Sequence, residues 1–231
     1  MLKDNDITLN VNGVQDDELI DYYGDAHISS SMDTPLRADA FELSDDEKMN
    51  KIEFHFEKIM EALGLDLTDD SLKGTPRRMA KMYVKEIFSG LNPDNMPKIA
   101  MFENRYRYDK MLVEKDISIY STCEHHFLPI YGKAHIAYIS NGKVIGLSKL
   151  NRIAQYYAKR PQVQERLTMQ IANALKFILE TDDVAVYIDA QHMCVQSRGV
   201  EDTQSSTVTF EYSGKFLNET TRTEFLTAIG K

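Results

Sequence analysis

The hydrophobic pattern changes period near residue 111, and that change restricts the chain to a mixed architecture. Before it, Met49, Ile52, Phe56, Ile59 and Leu63 recur at helical spacing behind Ser44-Asp45-Asp46-Glu47, whose Ser and Glu stand three apart as a capping box requires, and Gly64 supplies a stop. Thr75-Pro76 predicts a second helix, with Thr as N-cap and Pro at the first position, running through Met79, Met82, Tyr83 and Ile87 to Gly90. After the change, Ile117, Ile119 and the segment from Lys133 to Ser140 (KAHIAYIS) alternate as strands do. Asn141-Gly142 predicts a hairpin from which Val144 to Leu147 returns antiparallel. Ser148 is expected to cap a helix through Leu150, Ile153, Ala154 and Tyr157 that Pro161 ends, and a longer helix carries Leu167, Ile171, Leu175 and Ile178. Two more strands are expected from Val184 to Cys194 and from Ser205 to Ser213. The expected class is α+β: an antiparallel sheet with two helices on one face, preceded by a helical N-terminal part. Residues 1–43, acidic and small-polar without a sustained apolar period, are read as an irregular arm, 44–110 as the helical part and 111–231 as the sheet-bearing domain.

Composition narrows the function. A chain of 231 residues with 42% hydrophobic content can bury one core, with or without a helical extension. No stretch reaches the roughly 18 apolar residues of a bilayer span, and residues 1–13 lack the basic start and apolar run of a secretory signal, so a cytoplasmic, non-membrane protein is expected. The formal charge of −9 opposes general nucleic-acid binding, and any anionic ligand must meet a local basic cluster. Two cysteines are too few for a disulfide framework and leave a metal site or buried thiols. No P-loop or G-x-G-x-x-G occurs, and the sequon Asn218-Glu219-Thr220 means little in a cytoplasmic protein.

Both cysteines have histidine company. Cys123-Glu124-His125-His126 follows a strand, and His192-Met193-Cys194 lies near the end of another, where alternation places His192 and Cys194 on one face. Cys123 and His126, three apart in a loop, can turn toward the same ion as Cys194. Two thiolates and one imidazole suit zinc, with a fourth position left for water. Singly, each residue reads as a buried thiol or a core histidine; together they read as a site. His125 and His192 remain to move protons near pH 7. The hydrolytic chemistry this implies is shared with zinc deaminases, whose C-x-x-C this chain lacks. Lys149 and Arg152, in the first turn after Ser148, oppose the helix dipole unless an anion sits there. Arg78, Lys81 and Lys85 share one helical stripe, Arg198 precedes Gly199, and Glu165 lies off the Leu167/Ile171 face; each taken alone is an ordinary surface charge.

Four strings carry more: GTPRRMAKMYVKEIFSGL, STCEHHFLPIYGKAHIAYI, VIGLSKLNRIAQYYAKRPQVQERLT and DAQHMCVQSRGV. Through them the chain, from position 33 to position 228, resembles the bacterial-type GTP cyclohydrolase I family. The resemblance implies a tunnelling fold (T-fold), assembled into a homodecamer of two stacked pentamers with active sites between subunits. It implies one zinc per chain on Cys123, His126 and Cys194, and His125 and His192 as the acid-base pair. By the same resemblance Ser148 lies near the ribose, Glu165 grips the guanine edge with Gln164 beside it, and Arg78, Lys81, Lys149, Arg152 and Arg198 surround the triphosphate. The implied reaction opens the imidazole ring of GTP, releases formate and closes 7,8-dihydroneopterin triphosphate, the first step of pterin and tetrahydrofolate biosynthesis. The rival readings are a T-fold relative acting on another purine or pterin, and a noncatalytic zinc scaffold, which calls for four protein ligands.

Overall fold

The computed structural model describes residues 31–231; the first thirty residues of the expected arm lie outside the described residues, and 31–43 contain turns without helix or strand. Helix α1 (Asp45–Ala62) begins as its sequence requires. The Glu47 amide donates to Ser44 Oγ at 3.3 Å while the Ser44 amide donates to Glu47 Oε2 at 2.8 Å, so two orphan donors are satisfied reciprocally. It ends where Gly64 takes φ +75°, and the amides of Gly64 and Leu65 fold back to the carbonyls of Glu61 and Met60. Helix α2 (Thr75–Met82) starts one residue earlier than expected: Gly74 is the cap, and the Thr75 hydroxyl instead accepts from the Arg78 guanidinium at 2.8 Å. A π-helical turn (Tyr83–Ile87) and two short 3₁₀ turns carry the chain onward.

Five strands form the main sheet in the order β5-β2-β3-β6-β7: β2 (Met111–Cys123), β3 (Pro129–Ile139), β5 (Pro161–Gln162), β6 (Val184–His192) and β7 (Thr207–Tyr212). All neighbours are antiparallel except β5, which adds a parallel edge to Thr122 and Cys123. The expected hairpin is corrected. The chain does reverse at Gly142 (φ +88°), but β4 (Lys143–Ile145) pairs with β1 (Met101–Glu103) in a separate two-stranded ribbon instead of with β3. The Asn104 amide, which donates to Gly142 O at 2.9 Å, helps draw the returning segment to that partner.

Side chains alternate across the sheet, so each strand feeds two cores. Ile117, Ile119, Ile136, Tyr138, Val184, Val186 and Ile188 pack under α3 (Leu147–Ala158) and α4 (Gln164–Leu179), whose Leu150, Ile153, Leu167, Ile171 and Leu175 are fully buried. The cap expected at Ser148 is Gly146, and Ser148 sits exposed in the first turn of α3. The opposite face is not bare, as the expectation of helices on one side implied. Ala137, Ile139, Ala185 and Tyr187 meet Phe216, Phe225 and Ile229 from the C-terminal segment, which includes α6 (Glu219–Ala228). The sequon asparagine is the cap of that helix: Asn218 Oδ1 accepts from the amides of Thr220 and Thr221 at 2.9 and 3.4 Å. Among the described residues, no helix is long and apolar enough to cross a membrane.

Removing either anchor of this second core has a graded cost. Chemical denaturation of Asn218→Ala is expected to give a loss of about 1 kcal/mol, the value of one cap. Phe216→Ala should lose about 3–5 kcal/mol, because its fully buried ring leaves a cavity.

Candidate metal and proton-transfer site

The site forms where β2 ends, β3 begins and β6 ends: Ile130 stands opposite both Ser121 and His192. Past Cys123 the chain turns tightly. The Phe127 amide donates to Cys123 O at 2.9 Å with Phe127 at φ +54°, and the Cys123 amide donates to Leu128 O at 2.8 Å. The Phe127 ring packs on Phe88 with centroids 5.3 Å apart, tying this loop to the N-terminal helices. On the other side the expected strand stops at His192, and Cys194 lies in a one-turn helix, α5 (Met193–Gln196), so the shared strand face expected for His192 and Cys194 is not what places the thiol. The Tyr131 hydroxyl steadies the turn by donating to Gln196 Oε1 at 3.1 Å.

These two turns bring one donor atom each from Cys123, His126 and Cys194 within 4.8 Å of one another. The residues fit a metal ion on chemical grounds. Burial, the neighbouring Cys123 charge and a hydrogen bond to Cys123 push the Cys194 thiol up to about 11. Two thiolates can therefore share this pocket at neutral pH only if a cation joins them. A two-sulfur, one-nitrogen set suits zinc and leaves a coordination position open. Arg198 Nη1 lies 2.9 Å from His126 Nε2; a guanidinium only donates, so that imidazole nitrogen accepts.

The remaining histidines flank the trio. His125 places Nδ1 3.7 Å from Cys123 Sγ and Nε2 3.8 Å from Glu124 Oε1. His192 Nε2 lies 2.8 Å from Gln164 Oε1; burial holds this imidazole below its ordinary pKa, opposed by the Glu165 carboxylate. Glu165 itself is exposed in the first turn of α4. Gln164, expected beside it at the guanine edge, is instead 1% exposed, with its amide nitrogen engaged by Thr207 O, Thr209 Oγ1 and Ile188 O. Sequence reasoning missed Arg166. Its side chain is 2% exposed and grips both oxygens of Glu124 at 2.6 and 3.2 Å. The available signal was its place beside Leu167 on a helix whose apolar face is buried.

The other expected residues are not gathered here. Ser148, Lys149 and Arg152 open α3, which follows β4 at the far end of the sheet. From Ile130 to Ile139 β3 covers nine residue steps, a span of about 30 Å. Arg78 is held by Ser71 O and Thr75 Oγ1 at 3.1 and 2.8 Å, and Lys85, on the same stripe as Arg78 and Lys81, pairs with Asp45 at 2.5 Å.

A thiol-and-imidazole trio with histidines beside it, at one end of the sheet, is an arrangement that could hold a metal ion with proton-transferring groups next to it. Comparison with known proteins makes this particular. The family model for GTP cyclohydrolase I matches residues 52–230. A protein of Flavobacterium johnsoniae named GTP cyclohydrolase 1 is 60% identical over 216 residues, covering 94% of this chain and 97% of its own. Proteins of the same name from Aeromonas salmonicida and Vibrio parahaemolyticus are each 56% identical, covering 86% and 84% of this chain and 90% and 89% of theirs. The chain belongs to the GTP cyclohydrolase I family.

The Arg166–Glu124 pair generates a prediction. Arg166→Ala strands a largely buried carboxylate in the loop that carries Cys123 and His126. Denaturation should register a loss of about 3–5 kcal/mol, and any metal held by Cys123, His126 and Cys194 should be stripped by a chelator faster than from the unaltered protein.

Proposed function

We propose that this chain converts GTP to 7,8-dihydroneopterin triphosphate with release of formate, in the cytoplasm, as the entry to pterin and tetrahydrofolate synthesis. The observation that carries the reading is the convergence of Cys123, His126 and Cys194 beside His125 and His192 in a chain of this family. Cys123, His126 and Cys194 would hold one zinc ion, which supplies Lewis acidity and brings the pKa of water down to about 7. The protein's own groups do the rest. His192 gives a proton to N7 of the base as C8 is hydrated, and His125 moves protons during ring opening. The exposed Glu165 carboxylate accepts from the guanine N–H groups, so that a base lacking them leaves a polar group without its partner.

The triphosphate brings about four negative charges to a chain of net charge −9, so attraction must be local. Arg198 stands at the trio already. Ser148, Lys149 and Arg152 reach it from a second copy of the chain, because their own trio lies at the far end of the sheet; Arg78 and Lys81 contribute from α2. A T-fold assembly supports this reading. Among the described residues the main sheet has no strand beyond β5 or β7, and β7 presents exposed Val208 and Phe210, so pairing with another copy is one way to cover these edges. In the family's terms the product of that pairing is a pentameric ring, two of which stack into a decamer.

Incubation with GTP is expected to release formate and produce pterin fluorescence in equal amounts, with one zinc per chain by elemental analysis. Cys194→Ala should lose both zinc and turnover, whereas His192→Ala should keep its zinc and lose turnover. Full zinc occupancy in Cys194→Ala would overturn the ligand assignment, and GTP that survives the unaltered, zinc-loaded protein would overturn the function.

A further inference from the structure

The hydrogen bonds around Gln164 determine where the proton of His192 sits. Thr168 Oγ1 lies 2.9 Å from the backbone carbonyl of Gln164, which can only accept, so the single Thr168 hydroxyl proton goes there. The Thr209 hydroxyl, 2.7 Å from Thr168 Oγ1, must then be the donor of that pair, which leaves its own oxygen to accept. Gln164 Nε2 lies 3.1 Å from that oxygen, 2.8 Å from Thr207 O and 3.3 Å from Ile188 O, so both amide protons are committed. Turning the amide over would press its oxygen against two backbone carbonyls with no proton between them. The amide oxygen therefore faces His192, and at 2.8 Å it can only accept: Nε2 of the imidazole carries a proton. A neutral imidazole has one N–H, so Nδ1 holds the lone pair.

We propose that Gln164 is a positioning residue that fixes the neutral His192 ring in its Nε2–H tautomer, making Nδ1 the nitrogen that exchanges a proton with the substrate. The proposal rests on the reading of His192 as an acid-base group and adds to it the atom that acts and the residue that selects it. The device is rigid. Gln164 is 1% exposed, and its partners at Ile188, Thr207 and Thr209 lie on β6 and β7, so the first turn of α4 is tied to two strands at the point where His192 ends β6. The Nε2–H bond to Gln164 persists in both protonation states. In one direction the imidazolium gives its Nδ1 proton to an acceptor nitrogen of the base and becomes the neutral ring with its lone pair there. In the other, that lone pair takes a proton back from water or from a substrate hydroxyl. A ring free to carry its proton on Nδ1 would present a donor where an acceptor is needed.

The test is nitrogen NMR of zinc-loaded protein carrying ring-labelled histidine, with the His192 signals assigned by their loss in His192→Asn. The unaltered protein is expected to show neutral His192 protonated at Nε2 and bare at Nδ1. Gln164→Met, which removes the acceptor at similar length, should mix the two tautomers and lower kcat for GTP at least about ten-fold, with KM within about two-fold and one zinc per chain retained. A His192 proton on Nδ1 in the unaltered protein overturns the proposal without recourse to any variant. So does a Gln164→Met protein with unchanged kcat, or one in which KM and zinc content collapse while the tautomer stays fixed. An unaltered protein with the Nε2–H tautomer and no turnover of GTP would instead overturn the functional reading, leaving the hydrogen-bond assignment intact.

Discussion

A guanidinium buried at position 166 must be paired, and the carboxylate that pairs it belongs to the loop that carries two of the three clustered metal donors. That single requirement joins the start of α4 to the end of β2. Residue by residue, the first turn of α4 then divides its work. Gln164 turns into the protein toward His192, Glu165 points to solvent, and Arg166 turns in toward Glu124. Cys123, His125 and His126 are thus held in register with His192 and Cys194 by a helix that contributes no metal ligand of its own. An ion pair of this kind adds little net stability against an apolar substitute, but breaking it is costly, which makes it suited to fixing a loop in one arrangement.

Distance is the second constraint. An antiparallel strand of this length separates its two ends by about 30 Å, far beyond the reach of a lysine side chain. Residues that the family resemblance gathers around one triphosphate therefore stand at opposite ends of one subunit, with Lys149 and Arg152 at the start of α3 and Arg198 beside His126. In the proposed assembly the sheet edges and the divided site answer each other: a pairing that covers β7 would also carry the missing cations to the trio of a neighbouring copy.

The parts of this structure that depend on neighbours in sequence were legible. The Ser44–Glu47 box, the stop at Gly64 and the buried stripe Leu167, Ile171 and Leu175 follow from local geometry, and the trio was marked by residue type alone. What depends on distant partners was not. A turn signal at Asn141-Gly142 says that the chain reverses but not which strand receives it, and β1 took the place expected of β3. Asn218 was read as a sequon because the helix it caps buries only scattered residues such as Phe225, too few to announce a period. Arg166 drew no reading and Gln164 was expected beside Glu165 at the guanine edge, because the partners that bury them are remote: Glu124 lies 42 residues from Arg166 and Thr209 lies 45 residues from Gln164. The strand expected to run to Cys194 ends at His192 because the chain curls into α5, and alternation cannot foretell a one-turn helix.

The central claim is that one working site draws its metal donors and its phosphate cations from different copies of the chain. Co-expression of Cys194→Ala and Lys149→Ala subunits tests it most directly. Neither variant alone supplies a complete site, but a random mixture should place an intact Cys194 against an intact Lys149 of a neighbour in about a quarter of sites, with formate release recovering in that proportion. Mixed oligomers no more active than the average of the two variants, or full activity from an isolated single chain, would contradict it.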